Sequence, residues 1–471
     1  MGTISQIKNN FYIYLLIIVN VNFLYAYLVF KSFSLKIGKS FSIILFLLLL
    51  FPNFNSNNIF SPAAQGLGIF SLAIWSLSLY LNIISTNKKI YYFSWVLFII
   101  SVLTYEITFV LILFNLLLPK INNKIFYKNF YLTIYNNKKV IFLGLIILLC
   151  IVIYQIFFTK LFNIYISSRY KFNNLHYFIY IFEYWYAPIQ VWTSSISLYL
   201  RGLTHYFTNH NIQYLISIFF LVSAFYLAKN EKNKEEIYTK NLIYISILVY
   251  ILIIFFFIIA RSIPNINSYY NRALGAYNLI FNILVISLVF EFIKKKKIRF
   301  FILLLIVFIN YNAFNLQIKN SVESSKIRKS IIEDIKTQYS KDNDKKNRAT
   351  VFAKVPTTQK KNFNNELIFS EEAYDFNLAL LISSDEKISG MRIYYDIECK
   401  KVLQFENGEF SFYEPSRSKL DKNKKIDFIK YDNNFNYYIY NFENKDKKKF
   451  YKIDDKSDTE KILRDMQICY K

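Results

Sequence analysis

The feature that most constrains this 471-residue chain is the position of its carboxylates. Residues 1–315 contain no Asp, and 26 of the 32 Asp and Glu residues lie in residues 316–471. A charge at the centre of a bilayer costs on the order of 3 kcal/mol, whereas a soluble surface of this length needs acids. The distribution therefore predicts a lipid-embedded part, residues 1–315, followed by a soluble part, residues 316–471.

Long apolar runs in the first part are typical of transmembrane helices, which need about 20 apolar residues. The runs cover 11–30, 41–52, 63–85, 140–162, 212–228, 241–260, 273–293 and 299–315. A further stretch, 91–118, is interrupted at Tyr105 and Glu106. The pattern predicts a polytopic, all-α membrane domain of about 9–10 helices.

Lysines in the connections predict the orientation, because cytoplasmic loops are enriched in Lys and Arg. Lysine-bearing connections fall at 31–39, 88–89, 119–139, 229–240 and 294–297. Both ends of 91–118 adjoin such connections, so we predict a hairpin of two short helices with Thr104, Tyr105 and Glu106 at its tip. The uncharged segment 53–62, the N-terminus and the tail are then extracytoplasmic.

The tail, residues 316–471, alternates polar turns with short β-rich runs and predicts a small extracytoplasmic α+β domain. It is large enough to bury a core of its own. The predicted helices are 316–338, 371–382 and 458–468, and the predicted strands are 349–353, 391–395, 401–405, 409–413, 426–431, 437–442 and 450–453.

Cys399 and Cys469 are the tail's only cysteines. In an oxidising compartment two such thiols are expected to form a disulfide, and two free buried thiols are the alternative. No zinc spacing, phosphate-binding loop or dinucleotide motif occurs, so no metal and no cofactor are predicted. The net charge of +25 predicts no nucleic-acid binding, because the basic residues lie between apolar runs or on a mixed surface.

Three charged residues of the membrane part suggest chemistry. Glu106 lies within an apolar stretch, where an acid is either functional or a structural hydrogen-bonding group. Arg261 and Arg272 flank an outer loop, and Arg binds phosphate oxygens with a bidentate fork. The alternative for both arginines is interfacial snorkelling.

The segment 163–211 is dense in aromatic and cationic residues and suits helices at the outer interface. It is either an aromatic belt or part of a sugar or pyrophosphate site. Under the second interpretation Arg169, Arg201 and Trp185 bind substrate, and Glu183 is an alternative catalytic acid or base.

The order of features resembles that of bacterial GT-C-like membrane glycosyltransferases, which act on polyprenyl-linked sugars in envelope polysaccharide synthesis. The residues that carry the resemblance are Phe51-Pro52 before a polar loop, Trp75 in a helix, Ser101 to Glu106 in a helix pair, and the late Arg-bearing loops. The resemblance implies a protein of the bacterial inner membrane. It would transfer sugar on the outer face, with a general base for the acceptor hydroxyl and arginines for the leaving phosphate.

One departure from that family concerns the base. Such enzymes usually have an acidic residue in the first outer loop, but this chain has no Asp before Asp334. Glu106 or Glu183 would then replace it, and the expected first helix and acidic loop would be missing. A polysaccharide polymerase, a transporter or flippase for lipid-linked glycans, and a non-catalytic envelope scaffold are the alternatives. Membrane lipid and a polyprenyl-phosphate-linked sugar are the predicted partners, and no protein partner is specified.

Overall fold

The computed structural model describes the chain in segments. They are 11–51, 66–121, 200, 238–260, 274–342, 348–355, 374–393, 403–406, 409–414, 425–442, 449–453, 459–466 and 468. The chain divides into two compact units, Asn10–Ile318 and Lys319–Lys471, which we call the helical unit and the tail unit. The sequence predicted this boundary at 315/316.

The described elements of the helical unit are all helices. They are α1 (Phe11–Lys36), α2 (Lys39–Leu50), α3 (Gly66–Ile84), α4 (Lys88–Thr104), α5 (Ile112–Leu117), α6 (Thr239–Ala260), α7 (Leu274–Phe292) and the first part of α8 (Lys296–Ser340). Two 3-10 segments, Glu106–Leu111 and Leu118–Lys120, flank α5. Between α1 and α2 the backbone of Gly38 has a φ of 148°, a conformation that glycine adopts without steric cost.

Two described helices are long and apolar enough to cross a membrane. These windows are Leu16–Lys36 and Gly275–Phe292, of which 39% and 61% are buried. Shorter apolar helices cover Lys39–Leu50, Gly68–Ile84, Ile107–Lys120 and Thr239–Ile254. A buried helix of a soluble protein meets the same criteria, so the polytopic arrangement stays a prediction. The predicted spans at 140–162 and 212–228 lie outside the described residues.

The helical unit combines an aromatic core with apolar side chains on its surface. Phe33, Phe41, Trp75, Phe114 and Phe290 are fully or almost fully buried. Other large apolar side chains are exposed, notably on α1 and α4: Leu16, Phe23, Leu24, Tyr92, Phe93, Val96 and Leu103. Large apolar side chains exposed in this number are unusual in water, where a large apolar patch is typical of an interaction surface.

The tail unit contains two sheets and three helical segments. Its elements are the last part of α8, β1 (Arg348–Lys354), α9 (Tyr374–Ser383), β2 (Ile388–Arg392), β3 (Leu403–Glu406), β4 (Glu409–Glu414), β5 (Lys425–Lys430), β6 (Phe435–Asn441), β7 (Phe450–Ile453) and α10 (Thr459–Asp465).

The larger sheet has the order β2-β1-β6-β7, and the smaller has the order β3-β4-β5. Strand β1 pairs in parallel with both β2 and β6, while β7 is antiparallel to β6. The smaller sheet is antiparallel throughout. Five consecutive residues of β1, 349–353, are buried. Both faces of this central strand are therefore covered, as is usual for a parallel strand.

The two faces of the larger sheet have separate cores. On one face Val351 and Tyr440 pack with Ile335 of α8 and Phe376 of α9. Gly390 of β2 belongs to this face, and a Cβ atom there would lie 2.6 Å from Leu380 Cδ1. On the other face the smaller sheet and α10 cover side chains that form the second core, which includes Phe352, Ile439, Leu403, Phe410, Leu463 and Met466.

Candidate functional site

The helix α4 ends at the residues for which the sequence predicts a hairpin tip. Tyr105 is extended, with φ −156° and ψ 113°, and Glu106 begins a 3-10 helix. The Tyr105 N–H donates to the Ser101 carbonyl at 3.0 Å, and the Thr108 N–H donates to the Tyr105 carbonyl at 3.1 Å. Both sides of the break are therefore fixed by backbone hydrogen bonds.

The segment after this break runs back to the other end of the helical unit. At its start the hydroxyls of Ser101 and Thr108 are 3.5 Å apart. Further along, Asn82 near the end of α3 donates to the Asn115 carbonyl at 2.6 Å. At its end the Lys36 ammonium donates to the Pro119 carbonyl at 2.8 Å. Residues 106–120 thus return to the end of the unit at which α3 leads into α4.

This end, which we call the basic end, gathers five chain segments. Lys36 contacts Pro119, and Asn241 Nδ2 donates to the Ile121 carbonyl at 3.5 Å. Further contacts join the end of α7 to α6, to α2 and to the start of α8. They are Thr239 Oγ1 to Glu291 Oε2 at 3.2 Å, Lys240 to Glu291 at 3.6 Å, Phe41 to Phe290 with ring centroids 5.6 Å apart, and the Arg299 guanidinium 4.4 Å from the Phe290 centroid.

The opposite end of the helical unit is held together by neutral groups. Asn310 Nδ2 donates to the Phe51 carbonyl at 2.7 Å, and the Phe51 and Tyr311 rings are 5.0 Å apart. Ser71 donates to the Ser101 carbonyl at 3.1 Å, which brings the hairpin tip to this end.

The described charged residues of the helical unit are distributed unequally between its two ends. Those that the structure describes are Lys31, Lys36, Lys39, Lys88, Lys89, Glu106, Lys120, Lys240, Glu291, Lys294, Lys295, Lys296, Lys297 and Arg299. Within this described set, Glu106 is the one charged residue outside the basic end. Its backbone is at the hairpin tip; its side chain is not described.

A row of buried polar side chains joins α3, α4 and α5, and we call it the polar seam. Ser71, Ser78 and Asn82 lie along one face of α3, and Ser94 and Ser101 lie along α4. Ser78 donates to the Ser94 carbonyl at 2.7 Å, and Asn115 Nδ2 donates to the Ser78 hydroxyl at 2.8 Å. Small polar residues that bond between helices are typical of helix packing in membranes.

Three buried polar atoms beside this seam have no hydrogen-bond partner among the described residues. They are Trp75 Nε1, Trp95 Nε1 and Asn115 Oδ1. An unsatisfied buried polar atom costs about 1 to 3 kcal/mol. The sequence carries a signal for this row, because the spacing of Ser71, Trp75, Ser78 and Asn82 places all four on one helical face.

The remaining predicted site residues lie outside the described part of the chain. These are Glu183, Arg169, Arg201, Arg261, Arg272, Trp185, Cys399 and Cys469. The proposed phosphate ligands, the alternative base and the disulfide therefore stay predictions.

Two tyrosines of the tail unit bond to aspartates of α8 and its C-terminal end. Tyr438 donates to Asp342 at 2.6 Å, and Tyr440 donates to Asp334 at 2.9 Å. Lys452 is 3.3 Å from Asp342. Burial, and then the hydrogen bond to an aspartate, raises the pKa of each phenol. Both tyrosines therefore stay neutral at physiological pH and stabilise the tail unit rather than serve as bases.

Within the described residues no group of three or more His, Cys, Asp or Glu side chains could hold a metal ion. Comparison with protein-family models, with curated proteins and with solved structures found no match.

Proposed function

We propose that the chain is a multi-pass protein of the bacterial inner membrane, with the basic end in the cytoplasm and the tail unit outside. Two observations support this proposal. Apolar side chains cover α1 and α4 on the outside, while hydroxyl and amide groups bond inside. The lysines also lie at one end of the helical unit, as cytoplasmic loops require.

We further propose that the protein is glycosyltransferase-like and moves sugar from a polyprenyl-phosphate donor on the outer face. The observation that carries this is the position of Glu106 at the tip of the hairpin, opposite the basic end. An acid held at the outer interface can accept the proton of an acceptor hydroxyl as the glycosidic bond forms. Arg261 and Arg272 are the candidate ligands of the leaving phosphate, with Arg169, Arg201 and Trp185 as further substrate contacts.

Substitution of Glu106 tests this proposal. In a strain that lacks the gene, Glu106→Gln should abolish the surface glycan and cause the lipid-linked donor to accumulate, because an amide cannot accept the proton. The measurement is a profile of surface glycans and lipid-linked intermediates. Glu183→Gln and Arg261→Ala are tested in parallel, since Glu183 is the alternative base and Arg261 a phosphate ligand.

Glu291→Gln is the matched control, because Glu291 is also a helical-unit glutamate but lies at the basic end. It should restore the glycan when its level in the membrane equals that of the wild type. A normal glycan profile in Glu106→Gln, Glu183→Gln and Arg261→Ala would contradict the enzymatic proposal. A normal profile in Glu106→Gln alone would transfer the role of base to Glu183.

A further inference from the structure

Eight described lysines at the basic end are exposed, among them Lys39, Lys240 and Lys294. We call the other five the lysine rim: Lys88, Lys89, Lys120, Lys295 and Lys297. They come from three connections that are far apart in the sequence, namely α3 to α4, the end of the hairpin, and α7 to α8. The contacts of the basic end bring these connections to one level of the helical unit.

Exposed apolar side chains directly adjoin the lysine rim. Tyr92 and Phe93, one turn after Lys88 and Lys89, are 65% and 54% exposed. Phe292 and Phe301, on the two sides of the α7 to α8 connection, are 77% and 68% exposed. Aromatic side chains, which favour an apolar environment, therefore lie beside ammonium groups, which favour water or an anion. This pairing is characteristic of the boundary between acyl chains and headgroups.

The described acids do not neutralise the rim. Among the described residues, Glu291 is the one acid at the basic end, and other groups already contact its carboxylate. Lys240 and Lys294 are 3.6 and 3.9 Å from its carboxylate, and Thr239 donates a hydrogen bond to it. Within the described part of the chain, no further carboxylate at the basic end complements the rim, and an anionic partner would supply that charge.

We propose that the lysine rim binds the anionic headgroups of the cytoplasmic leaflet, of the phosphatidylglycerol type. The inference rests on the proposed membrane location and is independent of glycosyl transfer. The exposed rings favour a lipid over a soluble anion, because a soluble anion would leave them in water. The distribution of the lysines over separate connections fits a layer of phosphates better than one compact ligand.

Spin-labelled lipids test the inference on the full-length protein. In proteoliposomes, electron paramagnetic resonance measures the association constant of labelled phosphatidylglycerol relative to labelled phosphatidylcholine at the protein surface. We expect the wild type to prefer phosphatidylglycerol about fivefold at low salt, the factor that one lysine near an anionic surface supplies. The preference should fall as salt is added, because salt screens exposed charges.

The quadruple variant Lys88→Gln, Lys89→Gln, Lys295→Gln, Lys297→Gln should reduce this ratio to about one, because it removes most of the rim's charge. The matched control neutralises four exposed lysines of the tail unit, Lys341, Lys387, Lys430 and Lys461, and should keep the ratio of the wild type. A rim variant that retains the preference, or a control that loses it equally, would overturn the proposal. Inorganic phosphate that abolishes the preference at constant ionic strength would also overturn it, because the site would then bind free phosphate.

The failure of this inference is distinct from that of the proposed function. A fraction of lipid with restricted motion at the protein surface, but without any preference for phosphatidylglycerol, would overturn the lysine-rim proposal alone. If no lipid with restricted motion is detected, both the proposed membrane location and the lysine-rim proposal are overturned.

Discussion

The helical unit and the tail unit both have apolar cores, but the helical unit also buries a row of bonded polar side chains and exposes many apolar ones. In the helical unit Ser78, Ser94 and Asn115 are buried and bonded to one another, while Val96 and Leu103 on the same helix pair are exposed. In the tail unit the sheet buries Val351, Phe352 and Ile439, as a domain in water does. Under the proposed membrane location the chain contacts two solvents, and the side chains exposed on each unit differ accordingly.

The two units also differ in the forces that are expected to stabilise them. The tail unit is stabilised by burial of apolar surface, at roughly 25 cal/mol per Å². In lipid this force is absent between helices, because acyl chains are as apolar as leucine. If the helical unit lies in the membrane as proposed, its stability depends on close packing and on hydrogen bonds such as those of the polar seam.

The largest expected effect comes from an arginine placed on each unit's exposed surface. Val96 lies at the middle of α4 and is 49% exposed, and Ile382 of α9 is 40% exposed. Val96→Arg should cost about 3 kcal/mol, because it places a charge at the centre of the bilayer. Ile382→Arg should change stability by less than about 0.5 kcal/mol.

Amounts of full-length protein in the membrane fraction and its tryptophan fluorescence measure this effect, since all four tryptophans precede residue 316. Val96→Leu is the control for volume. If Val96→Arg is tolerated as well as Ile382→Arg, then the exposed face of α4 lies in water and the comparison fails.

An intermediate effect concerns the two buried tyrosines of the tail unit. Their pKa values are raised above the value of about 10 in the unfolded chain. Their contribution to stability is therefore complete below about pH 10 and is lost as the pH rises further, because the unfolded chain releases these protons first. The tail unit should lose stability above about pH 10.

The double variant Tyr438→Phe, Tyr440→Phe should weaken this alkaline loss and also cost about 1 to 3 kcal/mol at neutral pH for each aspartate that loses its donor. The measurement is the urea midpoint of the tail unit in full-length protein, followed by limited proteolysis at several pH values. An unchanged alkaline slope in the variant would show that other groups cause the loss.

The helices and strands of the tail unit could be predicted from the sequence, whereas the pairing of its strands could not. The runs expected at 349–353 and 450–453 lie within β1 and β7, because short β-rich runs and flanking polar turns are local signals. The parallel pairing of β1 with both β2 and β6 depends on contacts between distant residues. The end of α8 at Ser340 lies within two residues of the predicted end at 338, but the continuity of this helix with the expected span 299–315 was missed. Hydrophobicity falls after residue 315, but no Gly or Pro interrupts the helix before Ser340.

The candidate site shows the same division between local and distant information. The break at Tyr105 could be predicted from charge on both sides of the stretch 91–118. The polar face of α3 could also have been predicted from its spacing, but its bond to Asn115 could not, because Ser78 and Asn115 are 37 residues apart and meet only when the hairpin packs on α3.

The smallest expected effect is the loss of one hydrogen bond in the polar seam. Ser78→Ala removes the hydroxyl between Ser94 and Asn115, and should destabilise the helical unit by about 0.6 kcal/mol, the average for bonds between helices in a bilayer. Thermal unfolding followed by far-ultraviolet circular dichroism measures the change, because this signal reports on both units. Ser340→Ala in the tail unit is the control, because its hydroxyl is bonded within an exposed helix end. Equal shifts in the two variants would contradict a special role for the seam.

The most direct test of the two-solvent account is the accessibility of the two ends of the helical unit. Cysteines replace Lys88, Lys297 or Thr104 one at a time, and intact spheroplasts are treated with a membrane-impermeant maleimide. Peptide mass spectrometry identifies the labelled cysteine. The account predicts that Thr104→Cys is labelled in intact spheroplasts, and that Lys88→Cys and Lys297→Cys are labelled only after permeabilisation. Labelling of position 88 or 297 in intact spheroplasts, or of position 104 only after permeabilisation, would contradict it.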